Sequence, residues 1–320
     1  MKTLSASQSH IYPKLASLIR SGKISVVTGA GISTSGGVSD FRSRGGLFNE
    51  IKDAHGYSGE DIFTRSVLRT SDEAKEIFSA LVCKLKDASA TVEPTETHRM
   101  LAHIEKKHRA SIYTQNIDGL ERKAGIEKNV IYLHGNLFDL VCTHCKHIAE
   151  YTENRNRLLG DRQRIECPKC AERRDRRFGE GKRATSVGEL VPNIVLYGDT
   201  VDRVEVVKKI RKDASTTVLL VMGTSLRVFG VKNLTKDLSR IATGNSGVRV
   251  YVGKEAPQKG MQGCFDYWIE GDCDTFSRNL LSALQGGYLL RELKRIHAEK
   301  IQEIAENMRR LSLEPSFMHK

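Results

Sequence analysis

The chain has 320 residues, of which 39% are hydrophobic and 28% charged, and it carries a formal net charge of +12. This length excludes a peptide or a bare zinc finger, and it predicts one large domain with a satellite, or two domains. The excess of Lys and Arg indicates an anionic neighbourhood, such as nucleic acid, chromatin or phosphorylated ligands. The polar amino-terminal residues and the short apolar runs predict no secretory signal and no membrane contact, so we expect a reducing intracellular compartment.

Short β-branched runs alternate with helical stretches, which is the pattern of a parallel sheet with crossover helices. Strands are predicted at residues 24–28, 111–114, 130–133, 194–197, 217–222 and 248–252. Several of them are almost continuously apolar, as strands covered on both faces are. We therefore expect an α/β fold, with a Rossmann-like parallel sheet and helices on both faces, formed by residues 20–139 and 192–285 after an N-terminal segment of residues 1–19.

Two segments interrupt this alternation, and a third follows it. Residues 50–93 are polar and helix-prone with one apolar stripe, which predicts a helical insert. Residues 140–191 contain two cysteine pairs and little apolar sequence, which predicts a small module that a metal must hold together. Residues 286–320 predict an amphipathic C-terminal helix and tail, for which packing on the parent domain is favoured over partner binding.

A glycine-containing turn follows the first predicted strand, and it consists of Gly29, Ala30, Gly31, Ile32 and Ser33. Glycines at such a turn let backbone N–H groups approach a pyrophosphate. The dinucleotide fingerprint is incomplete, because Thr34 stands in place of its next glycine and no acidic residue closes a second strand about 20 residues later. The turn therefore favours a nucleotide site of another pattern over a hydride-transfer site.

The cysteines Cys142, Cys145, Cys167 and Cys170 form two C-x2-C pairs separated by 21 residues. Each pair can aim two thiolates at one point, and two pairs close a tetrahedral site for zinc. Because all four ligands are Cys, no coordination position stays open for a water, so the pattern predicts a structural Zn2+ rather than a catalytic one. His144 and His147 lie beside the first pair and could replace a thiolate, but four cysteines suffice.

Polar residues stand directly after several predicted strands: Gln115, Asn116, Ile117 and Asp118 in one loop, His134 in another, and Gly223, Thr224 and Ser225 in a third. The loops at the carboxyl ends of parallel strands converge on the ligand crevice of an open α/β sheet. Taken singly, Asp118 could cap the next helix and His134 could be a turn residue. Several such loops in one chain favour a shared binding site.

The basic residues are unevenly distributed. Residues 151–183 contain eleven Lys and Arg residues against six acidic residues, so a large part of the net charge lies in and around the predicted metal module. The run is either a solvated basic loop or a surface that contacts chromatin or DNA. The sequence leaves both interpretations open.

Taken together and in this order, the motifs resemble the sirtuin family of NAD-dependent protein-lysine deacylases. The matching segments are 29–33, 40–43, 46–48, 114–118, 133–135, the four cysteines, 192–199, 223–226 and 271–274, within about residues 20–285. Residues 59–63, 196–197 and 223–232 further resemble the fungal nuclear branch that acts on a histone H3 core lysine. The resemblance implies a nuclear enzyme that deacetylates histone and releases nicotinamide and O-acetyl-ADP-ribose.

The resemblance also implies roles for individual residues. His134 would act as general base, and Asn116 would take part in catalysis. NAD, the co-substrate, would be bound by Gly29, Ala30, Gly31, Ile32, Ser33, Asp40, Phe41, Arg42, Gln115, Asn116, Ile117, Asp118, Gly223, Thr224, Ser225, Gly253, Lys254 and Cys273. Val195, Leu196 and Tyr197 would pair with an acetylated histone tail or core peptide, as an added strand does.

Two departures from the family pattern bear on NAD affinity. Ser39 stands where the family usually has Pro, so the loop that covers NAD would be less stiff. Gly253 and Lys254 occupy the place of an Asn that contacts the adenosine ribose, so NAD would bind more weakly or contact Lys254 instead.

Other functions compete with the deacetylase. A zinc-ribbon chromatin or DNA binder would explain the cysteines and the basic run, but it leaves the strand-end residues without a role. A deacylase of longer acyl chains would need only a deeper pocket. An NAD-dependent oxidoreductase is disfavoured by the incomplete fingerprint.

Overall fold

The structure is a computed structural model that describes residues 1–7, 10–38, 47–152, 159, 161, 163–199, 203–286, 295–302 and 304. Its strands are β1 Lys2–Ser5, β2 Lys23–Thr28, β3 Arg109–Thr114, β4 Val130–Tyr132, β5 Gly135–Cys142, β6 Ile148–Glu150, β7 Leu190–Ile194, β8 Thr216–Met222, β9 Val248–Gly253 and β10 Tyr267–Glu270. Its helices are α1 Ile11–Ser21, α2 Leu47–His55, α3 Gly59–Ile62, α4 Arg65–Thr70, α5 Asp72–Thr91, α6 Glu96–Lys107, α7 Leu120–Lys123, α8 Pro168–Gly179, α9 Arg203–Lys212, α10 Phe229–Gly244 and α11 Cys273–Leu284. Within these described ranges, no helix is both long and apolar enough to span a membrane.

A seven-stranded parallel sheet forms the centre of the molecule, with the strand order β1-β10-β9-β8-β2-β3-β4. Successive side chains of a strand point to opposite faces, so a strand buried on both faces is apolar throughout. In β8, Leu220 packs in a cluster with α1, α6 and α11, whereas Leu219 and Val221 pack in a second cluster with α10. The expected parallel sheet with helices on both faces is confirmed.

The predicted strand at residues 194–197 is wrong. The strand there is β7, Leu190–Ile194, and it pairs antiparallel with β5 in a separate three-stranded sheet of order β6-β5-β7. The apolar run continues past Ile194, but Tyr197 donates its N–H to the carbonyl of Phe63 instead of joining a ladder. An apolar run does not by itself show which strand it will pair with.

The amino-terminal residues belong to the large sheet rather than to a separate segment. β1 pairs in parallel with β10, and α1 buries Tyr12, Leu15 and Ile19 in the core. The expected division near residue 20 therefore falls inside a continuous core. At the other end, residues 295–302 and 304 are helical, but Ile296, Ile301 and Ile304 are 40%, 54% and 59% exposed, so these side chains do not pack on the domain as expected.

The helical insert and the cysteine module pack on each other. α2 to α5 cover residues 47–91, close to the predicted insert. Ile62, Phe63 and Val82 of the insert share one hydrophobic cluster with Leu140 and Tyr151 of the module. The module therefore combines an apolar side, buried against the insert, with a cysteine-bearing side.

Candidate active site and metal centre

The turn after β2 lies against the turn after β8 without intervening side chains. Gly31 N–H donates to the carbonyl of Gly223 at 2.8 Å, and Gly29 N–H donates to Met222 at 3.1 Å. A Cβ on Gly31 would lie 2.8 Å from Gly223 Cα, and Gly223 has φ +60 in the left-handed region. Glycine is required at both positions because only glycine permits this approach and this backbone conformation.

Most backbone N–H groups of this turn already have partners. Gly29, Gly31, Ile32 and Ser33 each donate to a backbone carbonyl, so within residues 29–33 the N–H of Ala30 is the one left for a ligand. Ser33 instead contributes its side chain to the site. The expected phosphate cradle would therefore rely on Ala30 unless the turn rearranges on binding.

A buried chain of hydrogen bonds joins the β2 turn to the loop after β3. Asn116 Nδ2 donates to Ser33 Oγ at 3.2 Å, and Ser33 Oγ donates to Asp118 Oδ2 at 2.7 Å. All three residues are buried. Burial raises the pKa of Asp118, and the N–H of Leu120 and the hydroxyl of Ser33 partly oppose that rise. The Asn116 carboxamide and the Asp118 carboxylate thus lie together beside the glycine turn.

Gln115 links three loops of the site through hydrogen bonds. Its Nε2 donates to the Thr28 carbonyl at 3.0 Å and to Thr224 Oγ1 at 2.8 Å. Tyr251, which sequence reasoning missed, donates its hydroxyl to the Thr224 carbonyl at 2.8 Å and fixes the same loop. Ser225 is exposed at the surface of that loop, and buried Ile117 packs with the insert and module instead.

His134 lies at the start of β5, half-buried. Its Nδ1 is 3.0 Å from the carbonyl oxygen of Gln115. A carbonyl can only accept, so we assign the proton of the neutral ring to Nδ1, and Nε2 then carries the lone pair that can accept a proton. The ring is therefore oriented by the loop that also carries Asn116 and Asp118.

The predicted substrate residues continue from the same point. Val195 N–H donates to the His134 carbonyl at 2.9 Å, so the expected peptide-pairing segment is fixed directly to the candidate base. Leu196 is buried, whereas Tyr197 is 37% exposed and uses both its N–H and its carbonyl to bind the insert. An open groove of about 690 Å³ lies beside Tyr197 and is lined also by Phe48, Lys52, Arg227 and Phe229.

The residues expected on the adenosine side lie next to the β8 turn. The Gly253 carbonyl accepts a hydrogen bond from Trp268 Nε1 at 3.0 Å, and Lys254 is exposed. Cys273 is the buried first residue of α11, and burial raises the pKa of its thiol to about 12 even though the Gly223 backbone hydrogen-bonds it. Cys273 thus lies buried beside Gly223, on the side where the sequence predicts the adenosine of NAD. Ser39, Asp40, Phe41 and Arg42 lie outside the described residues.

The four cysteines converge at the far side of the module. All four Sγ atoms lie within 4.8 Å of one another, with Cys142 to Cys170 and Cys145 to Cys167 each at 3.7 Å. A tetrahedron of four Zn–S bonds of 2.3 Å has edges of about 3.8 Å, so the donor set fits zinc. The N–H groups of His144 and Cys145 each donate to Cys142 Sγ at 3.4 Å, which favours the thiolate form that a metal requires. The histidines are not needed.

The fold and the two centres place the chain among α/β nucleotide-binding proteins that carry an inserted metal module. Residues 29–230 match the model of the Sir2 family. The chain belongs to this family, which confirms the resemblance seen in the sequence.

Curated relatives agree with this assignment. The NAD-dependent histone deacetylase HST3 of Candida albicans is 34% identical over 315 residues, which cover 89% of this chain and 64% of the relative. The protein of the same name from Saccharomyces cerevisiae is 33% identical over 333 residues, which cover 95% of this chain and 72% of the relative. The chain thus spans about two thirds of the length of these relatives.

Solved structures share the fold. A Sir2 homolog–NAD complex superimposes with a TM-score of 0.66 at 22% identity, over 88% of this chain and 96% of that chain. Sir2Tm bound to a propionylated peptide gives a TM-score of 0.63 at 22% identity, over 86% of this chain and 98% of that chain.

Proposed function

We propose that the protein is an NAD-dependent protein-lysine deacetylase that acts on histone and releases nicotinamide and O-acetyl-ADP-ribose. The observation that carries the proposal is the position of His134, which is held by Gln115 in the loop that also carries Asn116 and Asp118. The relatives named above support the choice of reaction, since both are described as NAD-dependent histone deacetylases.

The buried chain at the sheet edge would bind the nicotinamide end of NAD. Asn116 presents a carboxamide that can both donate and accept, and Asp118 presents a carboxylate, so together they complement the nicotinamide carboxamide. The β2 and β8 turns would lie along the phosphates and the adenosine side. When bound, NAD supplies a ribose carbon from which nicotinamide leaves, and that carbon takes up the acetyl oxygen of the substrate.

His134 would accept a proton from a ribose hydroxyl. A histidine can take and release a proton near neutral pH, and the hydrogen bond at Nδ1 directs this role to Nε2. Val195 lies one hydrogen bond from the His134 backbone, so a peptide paired beside it would bring its acetyl-lysine toward the same ring. Binding the peptide mainly through its backbone would tolerate many sequences, and peptides with longer acyl chains are the alternative substrates to compare.

A nuclear location follows from a histone substrate, and the relatives' names support it. A second candidate function, contact with chromatin DNA, is favoured by the surface of α8. Arg173 and Arg176 are exposed on this helix, Lys182 and Arg183 are exposed after it, and Phe178 is 78% exposed among them. Such a surface suits phosphate contacts, and it would place the enzyme beside its substrate.

The test measures nicotinamide release from NAD with an acetylated histone peptide and with the same peptide unacetylated. We expect release by the wild type only with the acetylated peptide, and its loss in His134→Ala. The matched control is His10→Ala, because His10 is exposed and makes no side-chain cap on α1. Absence of acetyl-dependent release by folded wild-type protein would refute the proposal.

A further inference from the structure

Three titratable side chains meet behind the site, and the proposed reaction uses only one of them, Asp118. A ring nitrogen of His98 and a carboxylate oxygen of each of Asp118 and Glu121 lie within 4.8 Å of one another. His98 and Glu121 are completely buried, and Asp118 is 6% exposed. Among the residues that the structure describes, His98 Nε2 and Glu121 Oε2 have no hydrogen-bond partner.

Two carboxyl groups this close in a buried place do not both ionise, because burial and like-charge repulsion both disfavour the second charge unless a cationic side chain lies beside it. His98 does not supply that cation, since burial lowers its pKa to about 4 despite the charge of Asp274. The other groups that face Glu121 do not supply it either: Tyr132 is a buried phenol, and Arg122 is paired with Asp139 at 3.0 Å. The pair therefore keeps one proton at neutral pH.

The hydrogen bonds decide which carboxyl group keeps the proton. Asp118 accepts from Ser33 Oγ at 2.7 Å and from Leu120 N–H at 3.1 Å. Glu121 accepts one side-chain hydrogen bond, from Thr114 Oγ1 at 2.5 Å. Donors that bind a carboxylate stabilise its charged form, so the charge lies on Asp118 and the proton on Glu121. Burial, followed by the Asp118 charge, raises the pKa of Glu121 to about 8.

Glu121 is linked to the site through Thr114. The same Thr114 hydroxyl that donates to Glu121 accepts the N–H of Asn116 at 3.0 Å. Removal of the Glu121 acceptor would let this hydroxyl turn away and release the Asn116 backbone. The other side of the cluster is fixed as well, because Thr95, which contacts the His98 ring, donates to the Ile32 carbonyl at 2.9 Å.

We propose that Glu121 is a positioning residue of the dinucleotide site: it keeps its proton beside the charged Asp118 and fixes, through Thr114, the turn that carries Asn116. The proposal rests on the proposed function in so far as that turn binds NAD. It assigns Glu121 no contact with NAD or with the acetylated peptide.

Two substitutions separate this role from a structural one. Glu121→Gln keeps an uncharged group of the same shape with an acceptor for Thr114, so we expect kcat and the KM for NAD to stay within about threefold of wild type at pH 7. Glu121→Leu removes the acceptor, so we expect the KM for NAD to rise by about tenfold with a smaller change in kcat. Glu96→Gln, at a partly exposed Glu paired with Arg99, is the control. Equal defects in the Gln and Leu variants of Glu121 would overturn the proposal.

A second test of the proposal does not depend on enzyme activity. A carboxyl group with a raised pKa binds its proton more tightly in the folded state, so its stabilising effect is lost as pH rises from 4.5 toward about 8. Gln cannot ionise, so we expect the Tm of Glu121→Gln relative to wild type to increase over that range and then level off. The carbon-13 shift of the Glu121 carboxyl in the protein without NAD gives the pKa directly.

The second test also has results that would overturn the proposal. A Glu121 pKa below neutral pH would overturn the proposal, as would a second bound metal ion per chain beyond the one zinc expected at the cysteines. If the wild type released no nicotinamide while Glu121 titrated as expected, the proposed function would fail and the proton assignment would stand.

Discussion

The sheet-edge site and the cysteine module stabilise their functional groups in opposite ways. Ser33, Asn116 and Thr224 are far apart in the chain, and the strands of a large buried core bring them together. In the module, α8 buries one side chain, Cys170, and is otherwise exposed or partly exposed. Packing therefore fixes the first site, whereas metal coordination fixes the second, so each can be lost without the other.

The largest effect is expected from removal of a metal ligand. Cys142→Ser should abolish the protection of α8 from hydrogen exchange, because structural zinc contributes on the order of 10 kcal/mol to such modules. The parallel sheet should stay protected. Cys264→Ser is the control, since Cys264 lies outside the cysteine cluster. Unchanged protection of α8 would show that packing on the insert is sufficient.

The sheet has a buried polar centre whose loss should affect the whole domain. Asp213 is fully buried and accepts from Ser25, Ser111 and Tyr113, with Lys23 Nζ at 2.8 Å. Asp213→Ala leaves the Ser111 and Tyr113 hydroxyls without an acceptor and removes the countercharge of Lys23, so we expect about 3–5 kcal/mol less free energy of unfolding in urea. The exposed Asp237→Ala is the control. A loss below about 1 kcal/mol would contradict the importance given to this centre.

A smaller, local effect is expected at the glycine contact. The methyl group of Gly31→Ala would lie 2.8 Å from Gly223 Cα, and such overpacking costs about 1–3 kcal/mol. We expect NAD affinity, measured by calorimetry, to fall by about tenfold. The hydrogen-exchange protection of α8 should change little. For Gly244→Ala, where a Cβ meets nothing within 4 Å, affinity should not change. Equal affinities for all three proteins would refute the close-contact argument.

The smallest effect on catalysis is expected on the basic surface. Arg173→Glu with Arg176→Glu should weaken DNA binding and lower its salt dependence by about one unit of slope per lost phosphate contact. Deacetylation of a short peptide should not change, because both residues lie on exposed α8. Arg240→Glu on α10 is the control. DNA binding that is absent or insensitive to salt in the wild type would remove the second candidate function.

Much of the fold could be predicted from the sequence, for physical reasons that vary by element. β2, β3, β8 and β9 are buried on both faces and mostly apolar, so the sequence predicts them clearly. β1 was missed because three of its four residues are exposed and Leu4 is its one apolar residue, and β10 because Ile269 is its one fully buried residue. The strand predicted at 194–197 was assigned to the wrong sheet, because antiparallel pairing of residues 190–194 with β5 depends on tertiary contacts that periodicity does not encode.

The site residues also differ in how well the sequence predicts them. The four cysteines were predictable because their ligand spacing is local, and the structure brings their Sγ atoms together. The grouping of His98 with Glu121 was not predictable, because each residue reads as an ordinary helix position until α6 and α7 are packed. Burial in the folded protein is the main cause of the shifted pKa values of both groups.

The proposed reaction transfers an acetyl group from lysine to ADP-ribose at the sheet edge, with His134 as base. The most direct measurement uses a histone peptide whose acetyl group carries carbon-13, with NAD, and follows the label by mass spectrometry in the first turnovers. The account predicts that the label appears in O-acetyl-ADP-ribose with the wild type and stays on the peptide with His134→Ala. Label released at once as free acetate, or transfer that persists in His134→Ala, would contradict it.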